Sequence, residues 1–384
     1  MGTGPRRDQG AGLQGRLEFL DGVRGVAALL VVVEHALERW VDGYTQWSVD
    51  TINMGRVGIV AFFMVSGYVI GLTLTHQTIR TFAIRRFWRL YPVYWLATAV
   101  WVVVDLPHTD PVSSYGLFVV VANLTMLQGA IPGLVGILGP AWTLGAELVF
   151  YVQTATSKAI GLLRASVYLG YAWLALFVAM AAANAIRGGT ATAIVPLMLF
   201  LASLGHSLHL RDSVGSRAWI GLMAAALVVV PAASVPLLSS QPGDLTPWSV
   251  VGFTASHVVG IAFFLVFRRL RFRTFPRWLL WLGSVSYALY VIHASVIRMV
   301  EYLALPAPVA VPTVVVVALG AAWVLHRFVE VPAIARGRRL SQRRTPVRTD
   351  APGPPADAGT ARLRVDERAA DAATRRAGRR SPVE

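Results

Sequence analysis

Apolar runs of nearly uniform length follow one another along most of the chain, separated by short polar or arginine-bearing connections. Each is close to the roughly 20 residues that carry an α-helix across the ~30 Å hydrocarbon core of a bilayer. They fall at about 20–40, 55–75, 91–106, 114–131, 141–163, 166–186, 190–208, 217–238, 247–267, 278–300 and 309–328. The pattern predicts an all-α polytopic membrane protein with eleven candidate spans.

The arginines decide how many of these cross, because short basic loops stay on the cytoplasmic side. Arg6, Arg7 and Arg16 place the N-terminus there, Arg80, Arg85, Arg86 and Arg89 the second connection, and Arg268 to Arg277 a later one. Seven apolar runs lie between the last two clusters, yet an even number must cross. The run at 114–131 is the weakest, since it holds Asn123 and Gln128 between LPHTDPVSS and AIPGLVGILGP. With it read as re-entrant or interfacial, about ten helices cross and both termini are cytoplasmic. No internal repeat with matching polar signatures appears, so an inverted-repeat transporter gains no support.

Composition agrees with a membrane chain: 55% of the 384 residues are hydrophobic, 14% are charged and the mean hydropathy is +0.57. The absence of cysteine excludes disulfides, zinc-thiolate sites and a cysteine nucleophile. The net charge of +15 is almost all arginine, Lys158 being the sole lysine, and much of it lies in the last fifty residues. It therefore does not argue for a nucleic-acid groove. Beyond Pro332 the chain turns to Arg, Ala, Pro, Gly and Asp without apolar period, which cannot bury enough surface to offset ordering entropy. The expected organisation is a cytoplasmic N-terminal segment at 1–16, a membrane domain at 17–335 and a disordered cytoplasmic tail at 336–384. The first run is long and lacks a clear cleavage site, so an uncleaved span is expected rather than a signal peptide.

Four polar islands interrupt the apolar pattern. In LEFLDGVRGVAALLVVVEHALERW, Arg24 and His35 stand eleven residues apart, about 16 Å of helical rise and close to three turns, so they share a face. Asp21 can pair with Arg24 at the i, i+3 spacing, and Glu34 and Glu38 flank His35. The plainer alternative makes Arg24 a snorkelling anchor and His35 a hydrogen-bonded interfacial residue. In AFFMVSGYVIG, Ser66 and Gly67 read first as small packing residues, since no base for a serine nucleophile is visible locally. In AIRRFWRLYPVYWL, Arg86 and Arg89 share a helical face beside Trp88, Tyr91, Tyr94 and Trp95. That is an interfacial belt, a clamp for phosphate oxygens with aromatic faces for an adenine, or both. In GPAWTLGAELVFYV, Glu147 sits in an apolar setting between Trp142 and Tyr151, costly unless paired or used. Two weaker elements are His293 in SYALYVIH and Glu330 before Val331-Pro332, the latter a helix-terminating salt-bridge site.

In order and spacing these islands resemble the membrane-bound acyltransferase-3 family of bacterial O-acyltransferases. LDGVRGVAALLVVVEH resembles the family's Arg, ten residues, His opening; FFMVSGYVI, Arg86-Phe87-Trp88-Arg89, WTLGAELVFY, SYALYVIH and RFVEVP are similar to its later blocks. The resemblance covers about 17–335. It implies ten membrane helices in the bacterial cell membrane and acyl transfer from acyl-CoA, acetyl-CoA first among donors, to a hydroxyl, commonly on a carbohydrate. It implies that His35 is catalytic and that Arg24, Arg86 and Arg89 bind the donor. Glu34 departs from the apolar or aromatic residue that usually precedes the family histidine.

The expected mechanism docks the CoA phosphates on Arg86 and Arg89, with Arg85 and Arg24 nearby, and brings the thioester to His35. His35, oriented by a catalytic Glu147, takes the proton of the acceptor hydroxyl, or carries the acyl group itself. No metal is expected. The expected partners are acyl-CoA, a hydroxyl-bearing glycan or small-molecule acceptor and the bilayer, with no nucleic acid. A macrolide or other secondary metabolite is the alternative acceptor, and a membrane transporter the alternative class.

Overall fold

The computed structural model describes residues 7–105, 116–130, 134, 136–187, 193–239 and 248–342. The chain divides into a large unit, Met1–Ser341, and a second, Gln342–Glu384. Residues 343–384, most of the expected tail, lie outside the described ones. Among the described residues the chain is helical and holds no strand. In a hydrocarbon solvent each backbone N–H and C=O must find its partner within the segment, which a helix alone allows without a closed barrel.

The helices are α1 (Arg7–Trp40), the short α2 (Tyr44–Asp50), α3 (Met54–His76), α4 (Ile79–Asp105), α5 (Leu117–Leu124) and α6 (Trp142–Ala159). There follow α7 (Leu169–Arg187), α8 (Ile194–Val214), α9 (Ala218–Ser239), α10 (Val250–Arg269), α11 (Arg277–Glu301), α12 (Ala307–Leu325) and α13 (Val331–Gln342). Among the described residues eight helices are long and apolar enough to cross a membrane. The expected first and fifth spans, α1 and α6, form as helices but are not among the eight. They carry the charged islands, which lower their apolarity. The eight residues of α5 rise about 12 Å, too little for a crossing, as the weak 114–131 run predicts.

Helices α1, α3, α8 and α11 make the most extensive contacts, and α8 is buried from Pro196 to Leu210. Two glycine contacts set how they meet. A Cβ on Gly67 would lie 1.8 Å from the Ala202 carbonyl oxygen, and one on Gly205 would lie 2.1 Å from that of Met64. Only glycine lets α3 and α8 approach so closely, which supports the packing role read for SGYV. A Cβ on Gly25 would lie 2.7 Å from the amide nitrogen of Gly283, joining α1 to α11.

The aromatic residues of α4 do not act simply as an interfacial belt. The Tyr94 hydroxyl donates to the Asn123 carbonyl at 2.7 Å, Trp95 Nε1 to Leu124 at 2.9 Å and the Tyr91 hydroxyl to Thr125 at 3.1 Å. The last carbonyls of a helix lack i+4 partners, and these three donors add hydrogen bonds at the end of α5, where the Asn123 carbonyl also accepts from the Met126 N–H at 3.0 Å. Lys158 does the same for α3, donating to the carbonyls of Leu74 and Gln77. Sequence periodicity shows the donors but not which helix end they serve.

At the far end, Glu330 does not stop the last helix. It is buried, pairs with His326 Nδ1 at 2.9 Å across a π-helical turn (His326–Glu330), and the chain continues as α13. Pro332, which has no N–H to donate, follows directly on that π-turn, where the regular i→i+4 ladder is already interrupted. α13 runs through Gln342, past the boundary drawn at 336, because it has a surface to pack on: Gly337 sits against Trp88 and Arg336 lies 4.9 Å over the Trp88 ring.

Candidate active site

Helices α1, α3, α4, α6 and α11 line a partly open cavity of about 110 Å³. Arg24, Arg86 and Arg89 line it with the single carboxylate of Glu147 and the hydroxyls of Ser66, Thr143, Tyr151 and Tyr290. Glu147 Oε1 accepts from the Ser66 hydroxyl and, at 2.6 Å, from Tyr151 one turn along the same helix. Arg86 donates to the Tyr151 hydroxyl at 3.4 Å and lies over the Tyr151 and Phe82 rings. Arg24 pairs with Asp21 at 3.8 Å, the i, i+3 contact expected from the spacing. Three guanidinium groups facing one lining carboxylate leave the chamber positive, and guanidinium forks match phosphate oxygens.

Arg85 belongs elsewhere. Its Nε bonds Ser341 at 3.1 Å, and it does not line the cavity. Helical spacing puts Arg89 between Arg85 and Arg86, within about 60° of each, so it is the contact with Ser341 on α13, and not the spacing, that takes Arg85 away from the chamber.

His35 lies ten residues beyond Gly25 on α1, and His293 ten residues beyond Gly283 on α11. From the glycine contact the two helices run parallel, so the two rings meet: they stack with centroids 5.4 Å apart and planes 4° from parallel. His35 is 44% exposed, and its Nδ1 bonds Glu38 at 2.9 Å. The expected pairing of His35 with Glu147 does not occur, since Glu147 is taken by Ser66 and Tyr151. Glu38 is one turn away on the same helix and needs no inter-helix geometry to reach His35.

Glu34 is not a second partner for His35. It is fully buried and accepts from Tyr44 at 2.9 Å, Ser48 at 2.6 Å, Asn53 at 2.5 Å and the backbone N–H of Met54 at 3.0 Å. Burial and the Glu34 carboxylate push the Tyr44 phenol up, so it stays a donor. The residue that departs from the family pattern thus ties α2 and the start of α3 to α1.

Tyr290 joins the two places. Its hydroxyl bonds Thr143 at 2.8 Å on the cavity wall, and its ring lies 5.8 Å from that of His293. Sequence reasoning named neither Tyr290 nor Tyr151 as a site residue, although each stands within one turn of a residue it did single out. Among the described residues no group of three His, Asp or Glu side chains converges as a metal site would require.

Residues 17–327 match the acyltransferase-3 family model, described as an acyltransferase domain. The chain is 26% identical over 146 residues to "Acyltransferase MdmB" of Streptomyces mycarofaciens, covering 36% of this chain and 38% of that protein. It is 31% identical over 110 residues to "Exopolysaccharide production protein ExoZ" of Rhizobium meliloti, covering 27% of this chain and 35% of that one. Each match thus spans well under half of the relative's length. No solved structure matches. The ordered islands, the helical bundle around an arginine-lined cavity and a family match over most of the chain together place this protein in the acyltransferase-3 family, as a membrane acyltransferase.

Proposed function

We propose that the protein moves an acyl group, acetyl in the simplest case, from acyl-CoA to a hydroxyl of a carbohydrate or glycoconjugate. The observation that carries this reading is the run of groups from the arginine chamber, through Tyr290 and His293, to His35. The phosphates of the donor dock on Arg86 and Arg89, with Arg24 beside them, and the pantetheine arm extends along the cavity. The chamber faces the cytoplasm of a bacterial cell, where the basic connections lie.

His35 is the base. Glu38 engages Nδ1, so Nε2 is the nitrogen left for chemistry. The acceptor O–H gives its proton to Nε2 as its oxygen attacks the thioester carbonyl. The C–S bond then breaks, an ester forms, and the imidazolium returns the proton to the departing thiolate as CoA-SH. Glu147 moves from the catalytic role expected of it to one in the chamber: it fixes Ser66 and Tyr151 and offsets part of the arginine charge.

The ExoZ name links that relative to exopolysaccharide production, which favours a carbohydrate hydroxyl over a macrolide. The test is to incubate membranes holding the protein or its His35→Ala variant, at equal expression, with radiolabelled acetyl-CoA and either glycoside or macrolide acceptors. Label on a glycoside by wild type alone is expected. Label on the macrolide alone would change the acceptor class, and equal labelling by the variant would remove His35 from the chemistry.

A further inference from the structure

In the sequence His293 stands only as a weaker element, in SYALYVIH. Its setting is more specific. It is fully buried, its Nδ1 lies 2.7 Å from the Tyr290 carbonyl oxygen, and its Nε2 is buried without a hydrogen-bond partner among the described residues. A carbonyl can only accept, so Nδ1 carries the proton and donates, and Nε2 keeps its lone pair. With Nε2 buried and no acceptor within reach, a second N–H would be stranded there, so the ring is a neutral imidazole, and the near-parallel planes turn its face to His35.

The other contacts of His35 leave that face a definite task. Glu38 holds one ring nitrogen but leaves the ring free to swing about that hydrogen bond, and the side chain is 44% exposed. A parallel ring at 5.4 Å removes that freedom. It also lies where a neutral π-face can attract the imidazolium that forms when His35 takes a proton. The contact is built into the backbone, because the close approach of Gly25 and Gly283 brings the two histidines to the same height.

We infer that His293 is a positioning residue for the reaction, a neutral aromatic floor that fixes the plane of His35 and aims its Nε2, without itself exchanging protons. The inference rests on the reading of His35 as the base. It extends that reading to a second histidine, and it makes the aromatic plane the property that matters rather than the ring nitrogens.

The experiment compares His293→Phe, His293→Gln and His293→Ala in the full-length protein. The rate is that of CoA release with the acceptor that wild type labels, and folded protein is counted by the thermal shift that acetyl-CoA produces. Phenylalanine keeps the plane and loses only the bond to a helix carbonyl that already has its backbone partner. Glutamine keeps a donor and loses the plane. The expected result is that Phe retains kcat within about threefold, while Gln and Ala lose ten- to a hundredfold with KM for acetyl-CoA unchanged. Rescue by Gln and not by Phe would show that the nitrogens matter and overturn the inference. So would full kcat in the Ala variant, or folded Phe protein as slow as Ala. If His35→Ala were as active as wild type, the base reading itself would fall, a result distinct from any order among the His293 variants.

Discussion

Two stretches of α1 carry similar charges and treat them differently. Near the middle of the helix, Arg24 opens on a cavity where three arginines meet one carboxylate and the charge is left unbalanced. Toward the C-terminal half, Glu34 is saturated by four donors, and Glu38 and His293 hold His35 so that one ring nitrogen is unclaimed. Charge buried in an apolar layer is costly unless it is satisfied. The saturated carboxylate therefore reads as architecture, and the groups left open read as places for a ligand or a proton.

That contrast can be broken at either end. The largest effect is expected from His35→Ala, which should lower kcat by about 10²–10⁴ while the acetyl-CoA thermal shift persists. A loss of both together would return His35 to the architecture. Next, Glu34→Ala strands buried donors and should cost about 2–4 kcal/mol of stability with activity per folded molecule preserved, measured by thermal denaturation and specific rate. A specific rate that falls as far as in His35→Ala would mean that Glu34 belongs to the chemistry.

The chamber is sharpened by Arg86→Gln combined with Arg89→Gln. KM for acetyl-CoA should rise about ten- to a hundredfold, with little change for acetyl-pantetheine, which lacks the nucleotide phosphates. Equal losses on both donors would make the two arginines structural anchors. Smallest of all, Ser66→Ala removes one of two hydrogen bonds to Glu147 and should change kcat by no more than about threefold. A complete loss would give Ser66 a part in the chemistry that its packing role does not.

Local relations along one helix were legible without the structure. The Asp21–Arg24 pair, the shared face of Arg86 and Arg89 and the closeness of Glu38 to His35 all follow from 3.6 residues per turn. Relations between helices were not. Glu147 and His35 were expected to meet, but a partner on another helix depends on rotation about both axes, which hydropathy does not encode. Likewise Tyr91, Tyr94 and Trp95 looked like belt residues because the end of α5, whose carbonyls they satisfy, has no signature of its own.

What the sequence by itself determined was the class of molecule and the inventory of its chemistry. A run of bilayer length has to be helical, since hydrocarbon offers the backbone no other partner, and each charge within such a run marks a position that has to be satisfied. The tertiary structure decided which of those charges are satisfied by the protein and which stay open. That choice was made where glycines let backbones touch: Gly25 on Gly283 sets the height at which His35 meets His293, and Gly67 and Gly205 set how closely α3, which carries Ser66, lies against α8. A helix crossing is a property of two surfaces together, and neither sequence segment specifies it alone.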